Sequence, residues 1–209
     1  MATTTTHYGF DIPQSTDLVK DGATAIATLG QDIDTAMNTA LGTNKAGMVL
    51  LNTTSFSGVS SQSVNDVFSA TYDNYRIVTN FVHSNAFGVF SMRFRVAGSD
   101  NSNNDYYRAA VSKDSASATV NNENADPTTS YRLGTTGNNN CIVTVDISNP
   151  FQTISTSMVS NCGALNNGNE GSWFTGGGGF GSTTSFTGFS IFPNAGTMTG
   201  KVLTYGYNQ

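Results

Sequence analysis

Charge is scarce in this chain. Lys, Arg, Asp and Glu make up 11% of its 209 residues, against roughly a quarter in ordinary globular proteins. The nine basic residues are scattered under a net charge of −5, and Arg93 with Arg95 is the nearest thing to a cluster. That leaves no electrostatic footprint for nucleic acid or for an anionic membrane. Histidine and cysteine are as rare, at two each, too few at close spacing for a zinc site. His7 lies in the N-terminal tail and His83 at a strand end, no G-x-S-x-G occurs, and no acid pair stands out among 14 carboxylates. The expectation is a protein without catalytic residues or cofactor. No apolar run is long enough to cross a bilayer. The opening Met1-Ala2-Thr3-Thr4-Thr5-Thr6-His7-Tyr8 has neither the basic nor the apolar region of a signal peptide. A reducing cytoplasm is therefore the expected folding compartment, with Cys141 and Cys162 as reduced core thiols.

What the chain has instead is polar and turn-rich. Asn, Gly, Ser and Thr make up just under half of it, yet 13 Phe, 8 Tyr and one Trp argue for a packed core rather than a disordered linker. One stretch alone, residues 15–41, reads as a helix. Val19, Ile26, Ile33 and Ala40 recur every seven residues, and Gly22, Leu29 and Ala36 stand three places after the first three. This is the a/d seam of a helix that buries one stripe against copies of itself. Gly22 and Gly30 each cost about 1 kcal/mol relative to Ala inside a helix, so a lone helix of this length should not persist in water. The seam needs partners: its own β domain is one candidate, but a stripe this narrow and mostly small or β-branched suits other copies of the helix better, and heptads alone do not choose between two and three. Ser15, Thr16 or Asp17 is placed to cap the helix start, and Gly42-Thr43-Asn44 to end it.

Three sections follow: an N-terminal arm over 1–14, a helical stem over 15–46 and a β head over 47–209. In the arm, a Thr run precedes Tyr8, Phe10 and Ile12 before Pro13 stops the strand. Three such side chains suit an adhesive strand that joins another protein's sheet edge, and the same segment also reads as a frayed terminus. The head is a run of strands between turn clusters, the signature of a sandwich or barrel. Residues 75–82 form one strand. Val89–Val96 alternates cleanly, with Phe90, Met92, Phe94 and Val96 on one side and Ser91, Arg93 and Arg95 on the other. Tyr106–Val111 follows, and 112–130 reads as a long loop or weak edge hairpin. Residues 141–147 and 154–162 bracket Asn149-Pro150-Phe151-Gln152 as a hairpin. Folding it there sets Cys141 opposite Cys162 and Val145 opposite Met158. The runs 187–193 and 200–207 read as strands joined by a tight turn.

Two ligand signals are weak. Asp100-x-Ser102-x-Asn104 starts like a calcium loop but lacks the later Gly and the bidentate Glu, so a surface turn accounts for it better. Tyr and Asn on loops suit a sugar as well as they suit a solvated β surface.

Two groups of motifs occur together. Phe10-Asp11-Ile12-Pro13, Asp17-Leu18-Val19, Asp21-Gly22 and Leu29-Gly30-Gln31-Asp32-Ile33-Asp34 resemble the stem entry of virion proteins of tailed bacteriophages, tail fibres among them. Phe56-Ser57-Gly58-Val59, residues 67–78, Phe94-Arg95-Val96-Ala97-Gly98-Ser99-Asp100-Asn101 and Gly200-Lys201-Val202 with Tyr205-Gly206-Tyr207 resemble a β head common in the same proteins. The resemblance implies a homotrimer with a coiled-coil stem on Val19, Ile26, Leu29 and Ile33, a jelly-roll-like antiparallel β-sandwich head, and display on a virion assembled in the host cytoplasm. On that footing Tyr8, Phe10 and Ile12 would attach the arm to another virion protein, and the head would meet a host cell-surface glycan or protein. The chain is short for a tail fibre, which leaves a short tail appendage, a head fibre, a capsid decoration protein or a passive connector open. No nucleic-acid or membrane partner is implied.

Overall fold

Alternation of apolar and polar side chains decides where each strand of the larger unit faces, and two sheets result there. The structure, a computed structural model, describes residues 3–6, 8–12, 18–41, 47–168 and 170–208. It divides into two units at Gly47 and Met48, the described residues up to Gly47 with Asn208 forming one and 48–207 the other.

In the first unit, β1 (Thr3–Thr4) pairs antiparallel with β2 (Asp11–Ile12), Thr3 opposite Ile12. The arm thus turns back on itself instead of running as one strand. The Thr5 carbonyl accepts from the Gly9 amide, and Thr5 receives the Phe10 amide on its hydroxyl. Gly9 takes φ +68° to make that turn, a conformation glycine adopts at little cost. The helix α1 spans Val19–Leu41. The expected caps at 15–17 and 42–44 lie outside the described residues.

The second unit is an antiparallel β-sandwich. Its wide sheet has eight strands, in the order β3 (Met48–Val59), β15 (Met198–Tyr207), β5 (Asn74–His83), β11 (Asn140–Ser148), β12 (Thr156–Leu165), β13 (Gly171–Phe180), β8 (Tyr106–Asp114) and β9 (Asn121–Thr128). The narrow sheet runs β10 (Tyr131–Gly137), β6 (Phe87–Val96), β14 (Gly188–Pro193) and β4 (Gln62–Val64), with β7 (Ser99–Asp100) beside β6. Inward residues of both sheets form one core. Cys141, Val143, Val145 and Ile147 of β11 face Phe90, Met92, Phe94, Phe189 and Ile191 from the narrow sheet in one buried cluster.

Aromatic rings dominate one part of that core. Phe94 stacks on Phe186 with centroids 4.5 Å apart, and Phe180 meets both Phe186 and Tyr106 edge-on. The Tyr106 hydroxyl accepts from the Phe94 amide and donates to the Asn101 carbonyl, each at 2.9 Å, so the one polar atom on this ring is satisfied.

Several expectations need correcting. The β11–β12 hairpin pairs Cys141 with Ala164 and Val143 with Cys162, and Ile147 rather than Val145 faces Met158. The register is displaced by two because the turn runs on past the Asn-Pro signal, with Asn149 at φ 58°. A slip of two keeps every side chain on its proper face. Both cysteines are accordingly buried and free. β14 and β15 do not pair with each other; the connection between them crosses from the narrow sheet to the wide one. Val96 is 39% exposed, at the end of β6, where Ala97 and Gly98 turn the chain with positive φ. Residues 112–130 form the edge hairpin, with β9 paired to β8.

Candidate functional site

The stem residues fall on one face of α1. Ile26 is 66% exposed and Ile33 41% exposed, while Leu29, Gly22 and Ala36 of the same seam are half-buried. Met37, at 54%, extends the stripe. Val19 opens the helix, and its side chain lies outside the described residues. Ile26, Ile33 and Met37 thus leave an exposed apolar stripe along one face of α1.

The arm residues also converge. Tyr8 stacks on Phe10 with centroids 5.6 Å apart, and these two rings line one hollow with Ile12 and the Thr4–Thr6 run. The hairpin explains the convergence, since its turn brings residues from both strands to one side.

Sequence reading missed the outer face of the wide sheet. Four hollows lie along it, and the register shows why they form there. One row across the sheet reads Lys201, Asn80, Ile142, Gly163, Trp173 and Lys113, each hydrogen-bonded strand supplying the next residue. Trp173 is thus flanked by a glycine on β12, and Gly171 precedes it by two on its own strand. Neither supplies a side chain to cover the indole, which remains 43% exposed. Trp173 and Ile142 stand between two hollows of about 580 Å³ and 500 Å³, one toward Lys113 and Asn140, the other toward Asn161 and Thr175.

The polar groups on this face are arranged, not merely present. Thr175 donates to Asn161 Oδ1 at 2.8 Å, which leaves the amide hydrogens of Asn161 for another acceptor. Asp146 accepts from Arg76 through both oxygens and from the Tyr207 hydroxyl at 2.7 Å, beside a third hollow of about 450 Å³. Lys113, half-buried, forms no ion pair among the described residues. A signal for this site did exist in the sequence. Ser172-Trp173-Phe174 alternates about an outward Trp, and glycines recur before and after it.

Groups with chemical potential elsewhere are committed to structure. His83 is 1% exposed, with Nε2 donating to the Ala195 carbonyl at 2.7 Å and Nδ1 2.8 Å from the Thr136 hydroxyl. Burial pushes the Cys141 thiol up to about 12 and raises that of Cys162. Asp100, first residue of the calcium-like run, is paired with Arg95. Among the described residues no group of three His, Cys, Asp or Glu side chains is placed to hold a metal, and no helix is long and apolar enough to cross a membrane.

No family model matches the sequence, and no curated protein matches it either. Among solved structures, galectin LEC-6 of Caenorhabditis elegans is similar at 12% identity and a TM-score of 0.33, covering 77% of this chain and 96% of that one. At that score the likeness carries no argument. The sandwich is established by the chain's own sheets and core.

Proposed function

We propose that this chain is a structural protein of a tailed-bacteriophage virion: a homotrimeric, short tail-fibre-like appendage that attaches through its N-terminal arm and presents its β head to the host surface. The observation that carries the reading is the bare heptad stripe on α1. Ile26 and Ile33 are exposed at a spacing of seven, on a helix that two interior glycines weaken. Burial of these side chains against two copies of themselves would supply what the isolated helix lacks. The clustered Tyr8, Phe10 and Ile12 give each protomer a compact apolar contact for a virion partner.

A head that adheres and a head that only decorates predict different behaviour, and labelled full-length protein separates them. Saturable binding to host cells favours the adhesin. Binding only to particles stripped of the protein favours a head fibre, decoration protein or passive connector. The attachment role is tested by deleting residues 2–12. The truncated protein should still form trimers of native thermal stability and fail to join particles; normal incorporation would place attachment in the stem or head. A monomer at micromolar concentration in light scattering would overturn the whole reading.

A further inference from the structure

We propose that the outer face of the wide sheet at Trp173 is a binding site for an acidic saccharide, with a sugar ring against the indole and its carboxylate or sulfate at Lys113. This deepens the adhesin reading by giving the head a ligand class and a place to hold it. It moves recognition from the loops, where Tyr and Asn suggested it, to a sheet face.

Three features converge on that ligand. The first is the bare aromatic. A Trp on a solvated strand usually leans on neighbouring side chains, but here the flanking positions are Gly163 and Gly171. The indole is left 43% exposed, with a hollow lined by Ile142, Leu165 and Lys113 on one side and one lined by Thr144, Asn161 and Thr175 on the other. A pyranose ring has one face of C–H groups and a rim of hydroxyls, which suits a flat apolar platform with hydrogen-bonding groups around it. The second is that rim. Asn161, with its Oδ1 taken by Thr175, offers its amide hydrogens, and the Thr144 hydroxyl lies in register beside it. Both are uncharged and shape hydrogen bonds without requiring a charged partner.

The third feature is charge. The outward positions of β11, β12, β13 and β8 hold one carboxylate, Asp146, and Arg76 already occupies both its oxygens. Lys113, in register with Trp173, forms no ion pair among the described residues, and its neighbour Asp114 alternates to the other side of β8, opposite Ser172. In a chain of net charge −5, a cation left without an anion beside a bare Trp is complementary to an anionic ligand and not to a neutral one. A second copy of the head would fit this face worse. Its two hollows meet at Ile142, Gly163 and Trp173, a concave floor that takes a small ring where a second copy's sheet face would present a flat or convex surface.

Trp173 is the chain's single tryptophan, so intrinsic emission of the full-length protein reports on this site alone. Titration with heparin fragments, oligogalacturonate and neutral dextran oligomers distinguishes sulfate, carboxylate and no charge. The expected result is a saturable change in emission with one or both acidic series, weakened by salt, and little with dextran. Trp173→Ala is followed by calorimetry instead and should weaken binding about tenfold or more, the equivalent of about 1.4 kcal/mol. Trp173→Tyr should retain part of the affinity. Lys113→Ala should lower acidic binding and bring it to the dextran level. Equal response to neutral and acidic oligomers would overturn the acidic assignment. No response to any, or an indole that iodide cannot quench because another copy covers it, would overturn the site. Neither result bears on trimer formation through α1, which is read separately by light scattering.

Discussion

Arg76 holds the carboxylate of Asp146 from the neighbouring strand with two parallel hydrogen bonds, Nε to Oδ1 at 2.8 Å and Nη2 to Oδ2 at 2.7 Å. The pair is in register across β5 and β11, and Tyr207 adds a third bond to the same carboxylate. One acid therefore ties β5, β11 and the C-terminal strand together on the outer face.

The acid dependence of stability should reflect this pair. Burial pushes the Asp146 carboxyl up, but the bonds from Arg76 and Tyr207 and the Arg76 charge outweigh it and hold it below its usual value. A depressed carboxylate stabilises fully above its unfolded pKa, about 3.9, and that stabilisation is lost as pH falls through the folded value. Asp146→Asn should melt below the parent protein at neutral pH and converge with it in strong acid. Because both side chains are over a third exposed, the gap will be small. Thermal melts across pH check it, and a gap that widens in acid would contradict it.

Glu123 stands between two arginines. It pairs with Arg132 and lies 3.8 Å from Arg108, and Ser112 donates to its other oxygen at 2.8 Å. All three charged side chains are less than a fifth exposed. Glu123→Gln leaves two half-sequestered guanidinium groups without a counter-charge and should cost about 2–4 kcal/mol. Urea unfolding of the two proteins measures it; a loss well below 1 kcal/mol would mean that solvent already screens the cluster.

Ile26→Asp should split the proposed trimer. Three carboxylates on one dry axis have no partners to neutralise them. Light scattering should show monomer while the head keeps its far-ultraviolet β signal. An unchanged mass would place self-association elsewhere.

Both thiols should resist modification. Cys141 is fully buried with its thiol pushed up to about 12, and Cys162 is 6% exposed. The thiolate is the reactive form, so neither should react with iodoacetamide in native protein at neutral pH, and both should react in urea. Rapid native labelling of either would contradict the burial.

The helix with its heptad spacing, and the head strands that alternate or run apolar such as β5, β6, β11 and β15, were legible because each is a periodic pattern along the chain; β4, β10 and the glycine-rich β13 were not, since short or side-chain-poor segments carry no such pattern. The two cysteines were legible as buried thiols on the same grounds, since alternation fixes which face a residue takes. Their partners were not, because the pairing depends on how far the turn after Ser148 runs before β12 begins. The same limit hid the Trp173 site. Lys113, Ile142, Gly163 and Trp173 are neighbours only through three strand pairings, and no local pattern reports those. Likewise, nothing in residues 187–207 announces that β14 and β15 belong to different sheets. That choice is made by the core, where Phe189 and Ile191 face one layer of partners and Val202 another.

The placement of β15 between β3 and β5 has a consequence for synthesis. Met48 lies opposite Tyr207, so the strand that begins the head cannot find its sheet partner until the last strand has left the ribosome. Until then β3 presents a twelve-residue edge, and the wide sheet lacks the strand that joins it to the rest. The stem is made long before. On polysomes crowded with nascent chains, α1 would be available for association while each head is still open. In the proposed trimer, assembly would run stem first and head closure last, and slow closure across so long a sequence separation would set the window in which the chain can aggregate.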